Sequence, residues 1–255
     1  MIICLPAPPQ PPYRVGISQC LVGDRVRYDG TSAHSSLPHD TLQGILEYRG
    51  ICPEVAIGMT IPRPPIRLVG TARNYRVVGV DDPGLDKTDE LVAYANKQVP
   101  GMADLAGYIF MHHSPSCGLG EVKVHARNSP MVQRPSTVQR KGTGVYAATI
   151  VAALPDLPVE EGIRLFDEKI RENFLLRVAV YAHWRALRST LTGAELVAFH
   201  QFHAERFTQH GISAFAAAEQ LLTDLEAHLA ATADAYITQL MNGLKLSADP
   251  LKETN

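Results

Sequence analysis

Cysteine is the residue type with the most distinctive chemistry in this chain. The four cysteines are Cys4, Cys20, Cys52 and Cys117. The last three are separated by 32 residues (20 to 52) and by 65 residues (52 to 117), and no Cys-x-x-Cys pair is present. The spacing therefore excludes the zinc-ribbon, thioredoxin and ferredoxin motifs. Thiols so far apart belong to different elements and meet only in the folded protein.

The stretch HHSPSCGLGEVKVH (112–125) places Cys117 in a glycine loop directly after an apolar run. A thiol in such a loop serves metal ligation, nucleophilic attack, disulfide pairing or packing. Packing is the ordinary role of a single free cysteine, which behaves as a small hydrophobe. Disulfides are disfavoured, because the start MIICLPAPPQPPYR lacks the basic segment of a signal peptide and we expect a cytoplasmic, reducing location.

The composition is that of an ordinary globular protein. The 255 residues are 45% hydrophobic and 20% charged, with a formal net charge of −2, which is not the overall charge of a nucleic-acid binder. No apolar run approaches the ~18 residues of a membrane span, so we expect none. One basic run without an intervening acid is a candidate phosphate track. Its members are Lys123, Arg127, Arg134, Arg140 and Lys141.

Apolar runs alternate with helical patterns in the first part of the chain. The strand candidates lie in YRVGISQCLVG (13–23), ICPEVAIG (51–58) and AGYIFMHHSPSCG (106–118). The second is expected to stop at Pro53, because proline cannot donate into a central ladder, and the third is broken at Ser114-Pro115. TLQGILEYRG (41–50) indicates one or two helical turns closed by its last glycine, and GTGVYAATIVAAL (142–154) predicts a helix. This alternation predicts an α/β fold with a Rossmann-like, doubly wound parallel sheet.

Three of the cysteines fall where the predicted strands end. Ligands of open α/β sheets bind at the carboxyl ends of the strands. Cys20, Cys52 and Cys117 each occupy such a position, whereas Cys4 lies in the proline-rich start. We therefore expect the first three thiols to meet at one crevice.

Three thiolates at one crevice need a cation, because buried like charges repel. Zinc with three protein ligands and an open position is one candidate, although catalytic zinc sites more often use histidine and carboxylate. An iron–sulfur cluster suits thiolate ligands equally well. With three cysteines, a four-iron cluster keeps one iron free to act as a Lewis acid. The residue pattern leaves both candidates open.

Four blocks of the chain resemble successive blocks of the thiouracil desulfidase family. They are ISQCLVGDRVRYDG, ICPEVAIGMTIPRPPIRLVG, HSPSCGLGEVKVH and GTGVYAATIVAALPDLPVEEG. The resemblance extends from Arg14 to Gly162. It implies an enzyme that releases sulfide from a thiolated uracil, which is either 4-thiouridine in transfer RNA or the free 2- or 4-thiouracil or its nucleotide. The stretches RENFLLRVAVYAHWRAL and LVAFHQFH resemble the second domain of members that act on transfer RNA.

The resemblance also implies roles for individual residues. Cys20, Cys52 and Cys117 match the three ligands of a [4Fe-4S] cluster, whose remaining iron binds the substrate sulfur. Cys4 has no counterpart. The acid/base glutamate of the family falls on Glu54, in the Cys-Pro-Glu stretch.

Two serines precede Cys117. The catalytic serine of the family falls on Ser114, which would relay a proton or orient water. Ser116 is the rival, and we assign it to substrate binding. The choice of Ser114 follows the resemblance and not the geometry of the loop.

Further substrate contacts come from two other segments. In RYDG (27–30), Tyr28 suits the face of a pyrimidine ring and Asp29 suits a ring nitrogen. In PRPPIR (62–67), Arg63 and Arg67 suit a phosphate, although a surface arginine pair is an equally good interpretation. Three histidines near the cysteine loop are candidate proton donors, with a structural role the commoner alternative. They are His112, His113 and His125.

We expect three regions: a proline-rich tail (1–13), a cluster-binding desulfidase domain (14–162) and a C-terminal all-α accessory domain (163–255). The accessory domain ends early relative to the family, which puts its contribution to RNA binding in doubt. Its first helix is expected to be amphipathic with four arginines available to solvent. They are Arg171, Arg177, Arg185 and Arg188.

Two alternatives to a desulfidase remain. One is a zinc-dependent hydrolase that uses the same thiols, and the other is a non-catalytic iron–sulfur module that binds RNA or senses redox state, in which Glu54 and Ser114 are idle. In every case we expect no membrane partner. We also expect no nucleotide cofactor, because GTG (142–144) is too short for a nucleotide-binding fingerprint.

Overall fold

The computed structural model describes residues 7–34, 39–71, 74–126, 138–209, 222 and 229–245. The chain folds as an α/β protein. Its strands are β1 (Tyr13–Ser18), β2 (Leu46–Ile51), β3 (Ile66–Thr71), β4 (Asn74–Gly79), β5 (Gly107–Phe110), β6 (Val122–His125), β7 (Val138–Gly142) and β8 (Val159–Glu161). Its helices are α1 (His39–Leu42), α2 (Pro53–Ala56), α3 (Thr88–Gln98), α4 (Val145–Ala153), α5 (Glu168–Leu187), α6 (Gly193–Gln209) and α7 (Leu229–Gly243).

The first sheet has the order β2-β1-β5-β8, and all of its strands are parallel. Its central strands are buried on both faces, as parallel strands covered by helices must be. All four residues of β5 are buried, and Val15 and Ile17 of β1 have no exposed surface. The apolar run that predicted β5 thus reflects its central place in the sheet.

The second sheet has the order β4-β3-β6-β7 and is mixed, which the sequence analysis did not anticipate. Strands β3 and β4 pair antiparallel, β6 lies parallel to β3, and β7 pairs antiparallel with β6. Both β3 and β4 leave several side chains partly exposed. Strands of this kind lack the continuous apolar run that identifies a buried parallel strand.

The helical prediction for 41–50 is wrong. Helix α1 ends at Leu42, and β2 pairs in register with β1 from Leu46 opposite Tyr13 to Ile51 opposite Ser18. Ladder pairing with β1 therefore determines the structure of this segment, and Gly50 lies inside the strand instead of closing a helix. The strand does end before Pro53, which opens α2.

Helix α5 contributes to two apolar cores. Phe174 and Val178, in its first half, pack with Val15 and Ile17 of β1. Its second half forms another core with α6 and α7, built around Trp184 and Tyr236. Asp167 begins the helix, since its Oδ1 accepts a hydrogen bond from the amide of Ile170 at 3.1 Å.

The arginines of α5 do not all face solvent as expected. Arg177 is 3% exposed, donates to Asn173 Oδ1 at 3.0 Å and forms an ion pair with Glu160 at 3.7 Å. Arg185 donates to the carbonyl of Leu105 at 2.6 Å. Pairing with acceptors inside the protein makes such burial tolerable.

Some predicted features fall outside the part of the chain that the structure describes. Cys4, Arg127 and Arg134 are among them, and for Arg140 and Lys141 only the backbone is described. In the described ranges, every helix is too short or too polar to cross a membrane.

Candidate functional site

The three thiols converge because their strands are neighbours. Cys20 lies in a 3-10 turn (Gln19–Val22) directly after β1, Cys52 lies between β2 and α2, and Cys117 lies in the loop after β5. The carboxyl ends of parallel strands meet at the same edge of a sheet. All three cysteines accordingly line one cavity of about 510 Å³. This is the position that the strand-end rule predicted for them.

A hydroxyl inside the loop holds the backbone around Cys117. Ser114 Oγ accepts hydrogen bonds from the amides of Ser116 and Cys117, at 3.2 and 3.1 Å. The start of α4 supports the loop from outside, because the amide of Gly144 donates to the carbonyl of Gly118 at 2.7 Å. A Cβ at Gly144 would lie only 2.5 Å from the carbonyl carbon of Ser116. The glycine is therefore required by the close approach of the loop.

A carboxylate at the end of β8 supports the same loop from the other side. Glu161 Oε1 accepts a hydrogen bond from the amide of Leu119 at 2.8 Å. Thr143 Oγ1 donates to the carbonyl of Leu119 at 3.1 Å. Glu161 is not predictable from the sequence, since a carboxylate far along the chain gives no local sign that it binds the cysteine loop.

Burial disfavours the charged form of all three thiols. Burial and, next, the neighbouring Cys52 raise the pKa of Cys20 to about 11, although Arg27 opposes the shift. Burial also raises the pKa of Cys52, and it raises that of Cys117 well above its ordinary value despite a hydrogen bond with Ser18. Thiolates here need a cation to compensate for the lost solvation.

The donor set fits a cluster better than a single ion. A lone zinc ion with Zn–S bonds of about 2.3 Å requires thiolates about 3.8 Å apart. Among the residues that the structure describes, no three His, Cys, Asp or Glu side chains are arranged to hold one ion. An iron–sulfur cluster instead separates its ligands by its own width and takes soft thiolates. Cys20, Cys52 and Cys117 share one cavity, and their soft thiolates are the ligand type that such a cluster takes.

Glu54 lies in the wall of the cavity with both carboxylate oxygens bound. Ser116 Oγ donates to Oε1 at 2.8 Å, and Arg63 Nε donates to Oε2 at 2.8 Å. Glu54 comes from the first turn of α2, where a negative charge is favourable. Arg63 also donates to the carbonyls of Val26 and Thr60, at 2.9 and 3.4 Å. All three side chains of this Glu54–Arg63–Ser116 cluster are largely buried.

The structure brings most of the expected site residues together. Besides the three thiols, the cavity is lined by four of them. These are Tyr28, Glu54, Arg63 and Ser114. Ser116 is fully buried behind the wall and reaches the site through Glu54.

Asp29 lies outside the cavity lining. Its Oδ1 accepts hydrogen bonds from the amide and the hydroxyl of Thr31, at 3.0 and 2.6 Å, which closes a turn. Aspartate is favoured in turns for this reason. Of the three candidate histidines, His112 and His113 line the cavity, whereas His125 belongs to β6.

Arg27 is a cavity residue that the sequence analysis did not single out. The available signal was its place beside Tyr28 in the RYDG stretch. The backbone turn that fixes it is closed by hydrogen bonds between Arg27 and both Gly30 and Thr31.

Adjacent strand ends of a parallel sheet bring the three thiols to one cavity. The fold and the site therefore define an α/β protein with a thiol-lined centre. The model of the 2-thiouracil desulfurase family matches residues 15–162, which is more than half of the chain and includes all three thiols. The chain belongs to the 2-thiouracil desulfurase family. This agrees with the resemblance found in the four sequence blocks.

One solved structure is also similar. The [4Fe-4S]-dependent thiouracil desulfidase TudS is 26% identical in sequence, with a TM-score of 0.43, and the match covers 60% of this chain and 93% of that chain. Among curated proteins there is no match.

Proposed function

We propose that this protein is a desulfidase that converts a thiolated uracil and water into the uracil and sulfide. The observation that carries the proposal is the convergence of Cys20, Cys52 and Cys117 on one cavity that Glu54 also lines. Membership of the 2-thiouracil desulfurase family supports the reaction type. The cavity of about 510 Å³ falls in the usual range of small-molecule sites, so its size is adequate for a pyrimidine ring.

The three cysteines would hold a [4Fe-4S] cluster with one iron free of cysteine. When bound, the cluster supplies a Lewis acid that polarises the C=S bond and makes sulfide a better leaving group. The protein holds the ligands in place through the loop contacts of Ser114, Gly144 and Glu161. Cys117 is buried and so shielded from water, whereas Cys20 and Cys52 are only partly buried.

Glu54 would accept the proton of the attacking water. Each carboxylate oxygen has a lone pair beyond the one that Ser116 or Arg63 occupies, so a water can still bind. Arg63 and Ser116 fix the carboxylate in one orientation. A well-placed acid/base group typically contributes about 10²–10⁴-fold to the rate.

Ser114 would relay a proton to the ring nitrogen or to the departing sulfur, giving up its hydroxyl proton and regaining, through water in the cavity, the one that Glu54 took from the attacking water. Its oxygen already accepts two backbone hydrogen bonds, which leaves the O–H as the group that can donate. Ser116 has a different task, since its hydroxyl donates to Glu54. In this proposal Ser114 is catalytic and Ser116 is a positioning residue.

The proposal also includes the domain bounds, the location of the enzyme and the form of its substrate. We assign residues 14–162 to a Rossmann-like desulfidase domain, because the strand order β2-β1-β5-β8 reverses beside β1 as in doubly wound sheets. We assign 163–255 to an all-α accessory domain whose first helix is α5. A cytoplasmic enzyme that acts on 4-thiouridine in transfer RNA is the favoured form, and the half-exposed Tyr28 offers a stacking surface for the base.

A substrate panel under anaerobic conditions tests the proposal. The purified protein is incubated with 2-thiouracil, 4-thiouracil, 4-thiouridine monophosphate and thiolated transfer RNA, and sulfide release is measured. Iron content and absorption near 400 nm are recorded on the same sample. Sulfide release from at least one substrate by iron-loaded protein is expected. If iron-loaded protein releases no sulfide from any substrate, the protein is the non-catalytic iron–sulfur module. If active protein contains zinc instead of iron, it is the zinc-dependent hydrolase.

The cysteine variants give the largest effect we expect. Cys52→Ser removes one cluster ligand, so iron content should fall and sulfide release should drop below detection. Cys4→Ser, which changes the remaining cysteine of the chain, should keep both at the wild-type level. Equal losses in the two variants would refute the assignment of the ligands.

A further inference from the structure

Two nitrogen-bearing side chains of the cavity wall have hydrogen-bonding capacity that the protein does not use. Arg27 and His112 both line the cavity. Arg27 Nε and His112 Nδ1 are shielded from solvent, and neither has a hydrogen-bond partner in the part of the chain that the structure describes. Buried polar groups without partners are rare and call for an explanation.

The surroundings of Arg27 leave its charge only weakly compensated. Its Nε lies 3.9 Å from Asp29 Oδ1, too far for a hydrogen bond, and that oxygen already accepts two bonds from Thr31. Arg63, the other arginine of the cavity, differs because its Nε binds Glu54 at 2.8 Å. Three of the five N–H donors of Arg63, including its Nε, bind acceptors within the protein. Arg27 Nε, by contrast, has no hydrogen-bond partner among the described residues.

His112 differs from its neighbour in the same way. His113 Nδ1 lies 3.3 Å from the carbonyl of Glu121, whereas the buried His112 Nδ1 has no such contact. Burial, the charge of His113 and the charge of Arg27 lower the pKa of His112. Arg27 and His112 line the same cavity. A neutral imidazole offers one donor and one acceptor.

We propose that Arg27 and His112 are specificity-determining residues that bind one edge of a pyrimidine. Both side chains turn toward the ring when it binds, because neither nitrogen meets solvent in the free protein. Arg27 Nε then donates to a ring carbonyl oxygen, and His112 Nδ1 accepts from the adjacent ring N–H. This inference rests on the proposed function for the identity of the ring. Both 2-thiouracil and 4-thiouracil present a C=O next to an N–H. The N3–H lies between C2 and C4, and only one of these two carbons carries sulfur. The same pair therefore serves 2-thio and 4-thio substrates, and it selects uracil over cytosine, whose N3 has no hydrogen.

Binding of the product, uracil, to the iron-loaded protein tests the pair without any reaction. Calorimetry with Arg27→Gln should show uracil affinity about 10- to 100-fold weaker than wild type, which is the usual effect of losing a hydrogen bond to a charged group. Arg25→Gln is the matched control, because exposed Arg25 lies on the same loop and binds the carbonyl of Gly30. Its uracil affinity should not change.

N3-methyluracil tests His112 with the protein unaltered. The methyl group removes the ring N–H, so wild type should bind it at least about 10-fold more weakly than uracil. His112→Phe, which keeps a ring and removes the nitrogen, should bind the two ligands equally. Equal affinity of wild type for both ligands would overturn the role of His112.

Two further outcomes separate this inference from the proposed function. If wild type releases sulfide but Arg27→Gln binds uracil as wild type does, the edge-binding pair is wrong and the desulfidase proposal stands. If no thiolated substrate releases sulfide, the proposed function is wrong. The uracil affinities of the variants still test whether Arg27 and His112 bind the ring. A loss in Arg27→Gln that is larger for uridine monophosphate than for uracil would assign Arg27 to the phosphate and overturn the proposal.

Discussion

Two groups of residues in the cavity wall use their buried polar atoms in opposite ways. We call the Glu54–Arg63–Ser116 cluster the closed wall and the pair Arg27–His112 the open wall. In the closed wall the carboxylate oxygens and the Arg63 donors find partners within the protein. In the open wall, Arg27 Nε and His112 Nδ1 find none among the described residues. The difference separates groups that position other groups from groups left to bind a ligand.

The ion pair of the closed wall gives the largest expected change in stability. Arg63→Met leaves Glu54 buried without its charge partner, so the free energy of unfolding should fall by about 3–5 kcal/mol. Arg188→Met is the matched control, since Arg188 and Asp234 are 2.9 Å apart but more than half exposed. That change should cost about 0–1 kcal/mol in urea unfolding. Similar costs for the two variants would contradict the closed character of the wall.

Substitution of the two serines tests the comparison through its effect on kcat. Ser114→Ala removes the proposed proton donor, so kcat should fall about 10²-fold. Ser116→Ala removes one hydrogen bond to Glu54, so kcat should fall about 10-fold with an altered pH profile. Iron content should match wild type in both variants. A deeper loss of kcat in Ser116→Ala would make Ser116 the catalytic serine.

The three thiols of the cavity give the smallest effect, which depends on pH. In the cluster-free protein, burial raises the pKa of Cys20 to about 11. Between pH 9 and that value the folded state holds a proton that the unfolded state has lost, so stability should fall as pH rises, by on the order of 2 kcal/mol. Denaturant melts of the cluster-free protein across this range measure the fall. Cys20→Ala should show a shallower decline, and an identical decline would remove Cys20 as its source.

The sequence was sufficient to predict where the thiols meet. Cys20, Cys52 and Cys117 follow strands, and the geometry of a parallel sheet brings such positions together without knowledge of any side-chain contact. The buried strand β5 was likewise predictable, since a strand covered on both faces needs a continuous apolar run.

Features that depend on distant partners were not predictable. The segment of β2 was interpreted as helical because its pairing with β1 is a long-range contact. Arg63 suited a phosphate in the sequence, but in the structure Glu54, Thr60 and Val26 take its donors. Arg177 suited solvent, but Glu160 and Asn173 bind it inside the protein.

Helix α5 has a practical consequence for any attempt to recombine this protein with others. Its 20 residues extend over about 30 Å, with Phe174 and Val178 against β1 and Trp184 in the helical core. A fragment that stops at Gly162 would leave the apolar face of β1 bare to water. A graft that keeps the thiol-bearing sheet must therefore carry α5 with it, and only the helices after α5 are candidates for exchange.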